Sequence, residues 1–408
     1  LTPDLTTELE ANSPYNIVRL IKPPPDGGPD RSGAHYQAIR SLLDQWTTTG
    51  VIAPDSTSGF YPYSQTYSAG ADRVTRHGFI ALGDIRDAGL FTHEATRAEV
   101  REDRSRLRLA TAADLGLIFT IYSDPAQTID RLLRDCEAGE PVVTAEQPDG
   151  STHRLYRCAD RETTERIRRH MEDFDCVIAD GHHRTAAAFD AWKENGNDAW
   201  AHVMMAFFNA ESPGMSMRPI HRAVTRGERW RFGDFLEGLA DHFNVQELPV
   251  AELSAADLAS RLEGLVRERR QKDRVAFAMI TPEPELAYVV EAIPESAEEW
   301  NWPRDAQPAF RQLGTAIFEY GILRSRLGYS DTDIAEARGL DFRREATEII
   351  DLVRHGGRHL GFILPPIPLG AVFAVAKQRR NLPQKSTYFY PKLLTGLVVN
   401  RIDTVAAE

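Results

Sequence analysis

Apolar positions change their spacing several times along the chain, and each change predicts an element. In "HYQAIRSLLDQWTTTG", Ile39, Leu42, Leu43 and Trp46 recur at the intervals of one helix face, and Gly50 closes the run where a left-handed cap belongs. "GFYPYSQTYSAG" and "RHGFIALGDI" carry aromatic and β-branched residues between glycines, which predicts two strands joined by a turn. From Thr92 to Leu109, "THEATRAEVREDRSRLRL" predicts a charged helix whose apolar stripe is limited to Val100 and Leu107. The continuous apolar run in "LGLIFTIYSD" predicts a buried strand, and "RETTERIRRHMEDF" predicts a further helix.

Beyond about residue 222 the same pattern predicts a second α/β domain. "DFLEGLADHF" and "AADLASRLEGLVRERR" have helical periods, whereas "VAFAMIT" and "LAYVVEAI" have the composition of strands. "EATEIIDLVRHGG", "HLGFILPPIP" and "GAVFAVAKQRR" continue it as helix, strand and helix. The division expected is therefore 1–222, 223–370 and a C-terminal segment 371–408, whose functional groups in "NLPQKSTYFYPKLLTG" suit a return to the active site. The Pro/Gly-rich "IKPPPDGGPDRSG" has the character of a surface loop.

Composition narrows the function. Sixty acidic against 48 basic residues give a net charge of −12, which disfavours nucleic acid and anionic membrane surfaces as partners and leaves room for a local basic pocket. Cys136, Cys158 and Cys176 are odd in number and lack CxxC spacing, so neither a disulfide framework nor a zinc ribbon is expected. A reducing cytoplasm fits that cysteine usage, and no apolar run reaches the roughly 20 residues of a membrane span. The opening "LTPDLTTELE" lacks the character of a signal peptide, and its Leu1 start leads to the expectation that upstream residues are missing from the sequence.

Candidate chemistry concentrates in "CVIADGHHRTAAA", from Cys176 to Ala188. An apolar strand end passes through Asp180 and Gly181 into a predicted helix. A helix start offers unpaired N–H groups and partial positive charge, a prepared site for phosphate oxygens. His182 and His183 add donors, and Arg184 can grip phosphate bidentately. The bland alternative makes Asp180 a plain cap and pairs Arg184 with it or with Glu172. A zinc site is disfavoured because adjacent histidines on a helix point about 100° apart.

Two further clusters accompany the turn. His93 and Glu94, at the start of the charged helix, are the candidate acid and base, with Arg97, Asp103 and Arg104 as supporting charges. Most other charges on that helix suit a solvated face held by pairs such as Glu102 with Arg106. In "PQKSTYFYPK", Lys385 is a point charge for phosphate and Ser386 and Thr387 are hydroxyl donors, with Lys392 following shortly. The spacing is not that of a Walker A loop.

"SPYNIVRL", "FYPYSQTY", "THEATRAEVREDR", "IADGHHRTAAA" and "PQKSTYFYPK", in this order, make the chain resemble the bacterial and archaeal domain-of-unknown-function family ten-fifteen over nearly its whole length. "ADGHHRTAAA" is also similar to the phosphate-binding turn of the ParB/sulfiredoxin superfamily. The resemblance implies a mixed α/β (α+β) fold, with a ParB/sulfiredoxin-like nucleotide-binding domain followed by a second α/β domain. Related proteins include free serine kinases, so it implies a phosphotransferase that uses ATP or ADP on the hydroxyl of a serine-like amino acid or similar small alcohol. Glu94 would be the base, and Asp180, Gly181, His182, His183 and Arg184 the phosphate site. Members usually begin with an extra strand and an Ala-Pro-Pro-Tyr-Asp-like segment, which this sequence lacks.

The mechanism expected has the helix start hold the phosphates, Lys385 close over them, Mg²⁺ bridge them and Glu94 take the hydroxyl proton. A competing expectation is a non-catalytic regulatory protein that senses CTP or ATP at the same turn. Metal-assisted hydrolysis by His93, His182 and His183 ranks last. A homo-oligomer is an admissible assembly.

Overall fold

The computed structural model describes residues 2–70, 72–227, 230–251, 253–283 and 286–402. They form two compact units, Leu1–Ser216 together with Pro391–Glu408, and Met217–Tyr390. The boundaries differ from the expected 222 and 371. His221–Val224 pairs antiparallel with Leu360–Ile363 and Leu340–Arg343, and this ladder carries it into the second unit. The chain rejoins the first unit only at Pro391, after the helix Leu369–Lys377 and the strand Tyr388–Tyr390.

The first unit is built on an eight-stranded mixed sheet. Its order is Leu90–Phe91, Cys176–Asp180, Ile118–Tyr122, His202–Asn209, Asp72–Asp84, Tyr61–Ala69, Thr152–Leu155 and Val143–Glu146. Tyr61–Ala69 and Asp72–Asp84 form the expected antiparallel pair. Ile118–Tyr122 is buried at every position, as its uninterrupted apolar run predicts. The amphipathic helix Ala34–Thr48 turns Tyr36, Ile39, Leu43 and Trp46 inward against Leu107, Ala113 and Leu115.

The charged helix spans Ala98–Thr111 rather than starting at Thr92. The N–H of Arg97 bonds to His183 Nε2 instead of to its own helix, so residues 92–97 stay as an extended loop. Nor is the helix a solvated rod. The expected Glu102–Arg106 pair is present, but Asp103 and Arg108 are buried. Arg108 donates to Asp114 Oδ1 at 2.8 Å and to the carbonyls of Trp200 and His202 at 2.8 and 3.2 Å, which ties the helix to the strand that follows it and to the sheet. A buried cation is tolerable because each of its three nitrogens finds an acceptor.

The second unit contains a six-stranded antiparallel sheet in the order Phe243–Pro249, Leu286–Ala292, Ala276–Ile280, Leu360–Ile363, His221–Val224 and Leu340–Arg343. The helices Ala255–Gln271 and Ala346–Arg354 pack through Leu258, Leu262, Ile349 and Ile350. The chain as a whole mixes helices and sheets, the fold class expected.

The cysteine expectation is corrected. Cys136, ending the helix Thr128–Cys136, and Cys158, bridged to Phe60, form a disulfide with their Cα atoms 5.5 Å apart. Tertiary proximity sets this pairing, and a 22-residue separation carries no recognisable signal for it. Cys176 is a buried free thiol whose pKa burial pushes up to about 12. Among the described residues, no helix is long and apolar enough to cross a membrane.

Candidate functional site

The strand Cys176–Asp180 ends at Gly181, and the helix His182–Asn195 begins at once. Gly181 is needed there. Its φ is +99°, and a Cβ would lie 3.1 Å from Arg184 Nη2 and 3.4 Å from the Ile118 Cα. With glycine at the cap position, no capping side chain competes for the amides of the helix's first turn. Asp180 folds its Oδ1 back onto the Gly181 N–H at 2.9 Å, and its Oδ2 receives the Lys392 ammonium at 2.9 Å. Burial raises the Asp180 pKa, but Lys392, Arg184 and these hydrogen bonds more than offset it, so the carboxylate stays ionised.

The two histidines face the loop at 92–97. The His93 N–H donates to His182 Nε2 at 3.4 Å, and the Arg97 N–H to His183 Nε2 at 3.0 Å. An accepting Nε2 puts the proton of neutral His182 on Nδ1, the nitrogen 3.7 Å from Glu94 Oε2. His182 is buried, which lowers its pKa to about 4. His93, also buried, stacks edge-on to it at 4.5 Å, and burial followed by the neighbouring imidazole holds its pKa well below the usual range. Glu94, by contrast, is 38% exposed at its side chain.

The Arg184 guanidinium lies beside Gly181. It lines a cavity of about 480 Å³ together with Arg97, Asp103, Arg104, Arg108 and Thr395, within the size range of small-molecule sites. Asp103 is taken by Arg104 at 2.7 Å and by the Tyr36 hydroxyl at 2.9 Å, and Asp114 is taken by Arg108. Arg97 and Arg184 make no ion pair among the described residues, and Arg184 Nε is buried without a hydrogen-bond partner. Burial lowers the Arg184 pKa, partly opposed by Asp180, yet a guanidinium remains charged at neutral pH. This cavity wall therefore contains one buried guanidinium nitrogen, Arg184 Nε, that no protein acceptor satisfies among the described residues.

The structure thus gathers Asp180, Gly181, His182, His183, Arg184, His93, Glu94 and Arg97 around one turn, with Asp103 and Arg104 on the cavity wall. Lys385, Ser386 and Thr387 belong to the second unit. There the Lys385 carbonyl accepts from Arg222 at 2.9 Å, and the Ser386 hydroxyl lies 2.9 Å from Thr315 Oγ1. Lys392, seven residues on from Lys385, is the lysine of that segment paired at the turn. Its signal was its place in the same polar segment, but nothing in the sequence ranks one lysine above the other. Among the described residues, no group of three His, Cys, Asp or Glu side chains converges to hold a metal.

The family model described as "Protein of unknown function (DUF1015)" matches residues 1–315. No curated protein matches the chain. A conserved hypothetical protein from Pyrococcus furiosus is similar at 12% identity and a TM-score of 0.36, with 78% of this chain and 93% of that one covered. A free serine kinase in complex with AMP has 12% identity and a TM-score of 0.37, covering 76% and 86%. SbnI with a C-terminal truncation, from Staphylococcus aureus, has 9% identity and a TM-score of 0.37, covering 80% and 90%.

Proposed function

The chain belongs to the DUF1015 family, and from that premise we propose that it is a small-molecule kinase, transferring a phosphoryl group from ATP or ADP to the hydroxyl of a serine-like amino acid or similar small alcohol. One observation carries the reading. Arg184, two positions into a glycine-opened helix, has a buried guanidinium nitrogen with no partner on the wall of a nucleotide-sized cavity. An unsatisfied buried donor is costly, and a phosphate oxygen would relieve it. The motif resemblance described above supports the same reading.

Phosphoryl transfer needs positioning and neutralisation of spread charge more than covalent work by the protein. Arg184, Arg97 and the first-turn amides would hold the phosphates. Glu94 would orient the acceptor hydroxyl. The hydroxyl oxygen bonds to the terminal phosphorus, the bond from that phosphorus to the bridging oxygen breaks, ADP or AMP leaves, and Glu94 takes the proton. His182 and His183 hold the Glu94 loop, and the interior position of His93 suits it to support. The residues fit a metal carried by the nucleotide, not a protein-built cage, because Mg²⁺ is commonly held by phosphates and only one or two carboxylates. When bound, Mg²⁺ would neutralise phosphate charge.

A second reading has its own support. Two hydrogen bonds join the turn to the 92–97 loop, so occupancy of the turn could be relayed through that loop without chemistry, as in a nucleotide sensor. Incubation with ATP or ADP, Mg²⁺ and a panel of hydroxy amino acids separates the two. Phosphorylated product supports the kinase, and nucleotide binding without product across the panel supports the sensor. If neither ATP nor ADP binds, the kinase reading falls, and the sensor reading falls with it when a CTP titration is also blank.

A further inference from the structure

Arg76 is fully buried, among the largest side chains so placed among the described residues, and it lies on the strand Asp72–Asp84 within a polar stretch of sequence. Burying a guanidinium is expensive unless its donors are used. Nε donates to Gln65 Oε1 at 2.7 Å, Nη2 donates to the Pro391 carbonyl, and the group lies over the rings of Phe119 and Phe208 at 4.8 and 4.9 Å. Gln65 in turn donates through Nε2 to the Lys392 carbonyl at 3.0 Å. The Leu394 N–H donates to the Tyr63 hydroxyl at 3.2 Å, and that hydroxyl lies 2.6 Å from His153 Nδ1. Three buried side chains of the sheet thus grip the backbone on both sides of one residue.

That residue is Lys392. Its backbone is fastened, while its side chain is 39% exposed and ends on Asp180, itself hydrogen-bonded to the glycine of the turn. An ion pair with both side chains about two-fifths exposed contributes modestly to stability, whereas the network that fixes the lysine's backbone is fully buried. A four-carbon stem on a fixed backbone can move its charge several ångströms at little cost.

We infer that Lys392 is the phosphate-contacting lysine of this site, resting on Asp180 when no anion is bound and turning to the nucleotide's terminal phosphate when one is, with Gln65 and Arg76 as the residues that position it. The inference rests on the nucleotide reading above and adds a binding residue to it.

Calorimetric titration of the full chain with ADP and ATP tests it, using Lys392→Ala, Lys392→Arg, Gln65→Leu and the Gln65→Leu/Lys392→Ala pair. Lys392→Ala is expected to weaken ADP about tenfold or more, as befits a charge-assisted hydrogen bond, and Lys392→Arg to recover part of that loss. Gln65→Leu is expected to weaken ADP in the parent and to add nothing once Lys392 is alanine. A purely structural Gln65 would weaken binding equally in both backgrounds, which overturns the positioning role. Lys392→Ala binding as the parent does, while Arg184→Met is impaired, overturns the lysine assignment and leaves the nucleotide site standing. A parent protein that binds neither nucleotide removes the underlying reading instead.

Discussion

His183 Nε2 accepts a hydrogen bond from the Arg97 N–H at 3.0 Å. The bond runs from the turn to the loop that carries Glu94, and His182 repeats it at the other end of that loop, on His93, at 3.4 Å. Histidines that were expected to donate to a ligand thus have accepting nitrogens turned toward the protein's own backbone. In His183→Phe the loop loses one fastening. We predict a loss of about 1 kcal/mol of stability, the usual worth of one such bond, read by urea denaturation. We also predict a fall in kcat with little change in nucleotide affinity.

Arg184→Met should show the reverse signature. The thioether keeps most of the stem and removes a buried cation that has no ion-pair partner among the described residues. The melting temperature is expected to hold or rise, while nucleotide affinity drops about tenfold or more. Paired thermal melts and calorimetry check both, and a destabilised variant with unchanged affinity would make Arg184 a packing residue.

Gly181→Ala is expected to cost about 2 kcal/mol, because a φ of +99° is strained for any residue with a Cβ. The new methyl would also crowd Arg184 Nη2 and the Ile118 Cα. Ligand binding should suffer along with stability. Chemical denaturation measures the first and ADP titration the second.

The buried imidazoles make stability depend on pH in a definite direction. His182 has its pKa lowered from 6.5 to about 4 by burial, so between those values the unfolded chain binds the extra proton. Its contribution is complete above about pH 6.5 and disappears as the pH falls toward 4, a loss of the order of 3 kcal/mol. His93 acts in the same direction. Urea midpoints measured from pH 7.5 to 4.5 should fall, and His182→Phe should flatten the curve. An equally steep slope in the variant would assign it to carboxylates elsewhere.

Local features of the site were legible in the sequence because they arise from neighbouring residues. A strand end, a glycine and a helix start are consecutive, so Asp180 to Arg184 could be placed on a turn without tertiary information. The helix Ala34–Thr48 was legible for the same reason, through its period. The start of the charged helix was not, because the amide of Arg97 is claimed by His183, 86 residues away. Nothing in "RVTRHG" marks Arg76 as buried, since only the fold reveals the aromatic rings and the Pro391 carbonyl that receive it. Choosing Lys392 over Lys385 requires knowing that the chain crosses back into the first unit at Pro391.

That crossing has a consequence for how the protein is made. Asp180 and its lysine are 212 residues apart, and most of that interval is the second unit. At about 5–20 residues per second, a ribosome needs roughly 10 to 40 s to travel from one to the other. Throughout that time the nascent carboxylate has no Lys392 to meet, so the turn is completed only after the intervening unit has been translated.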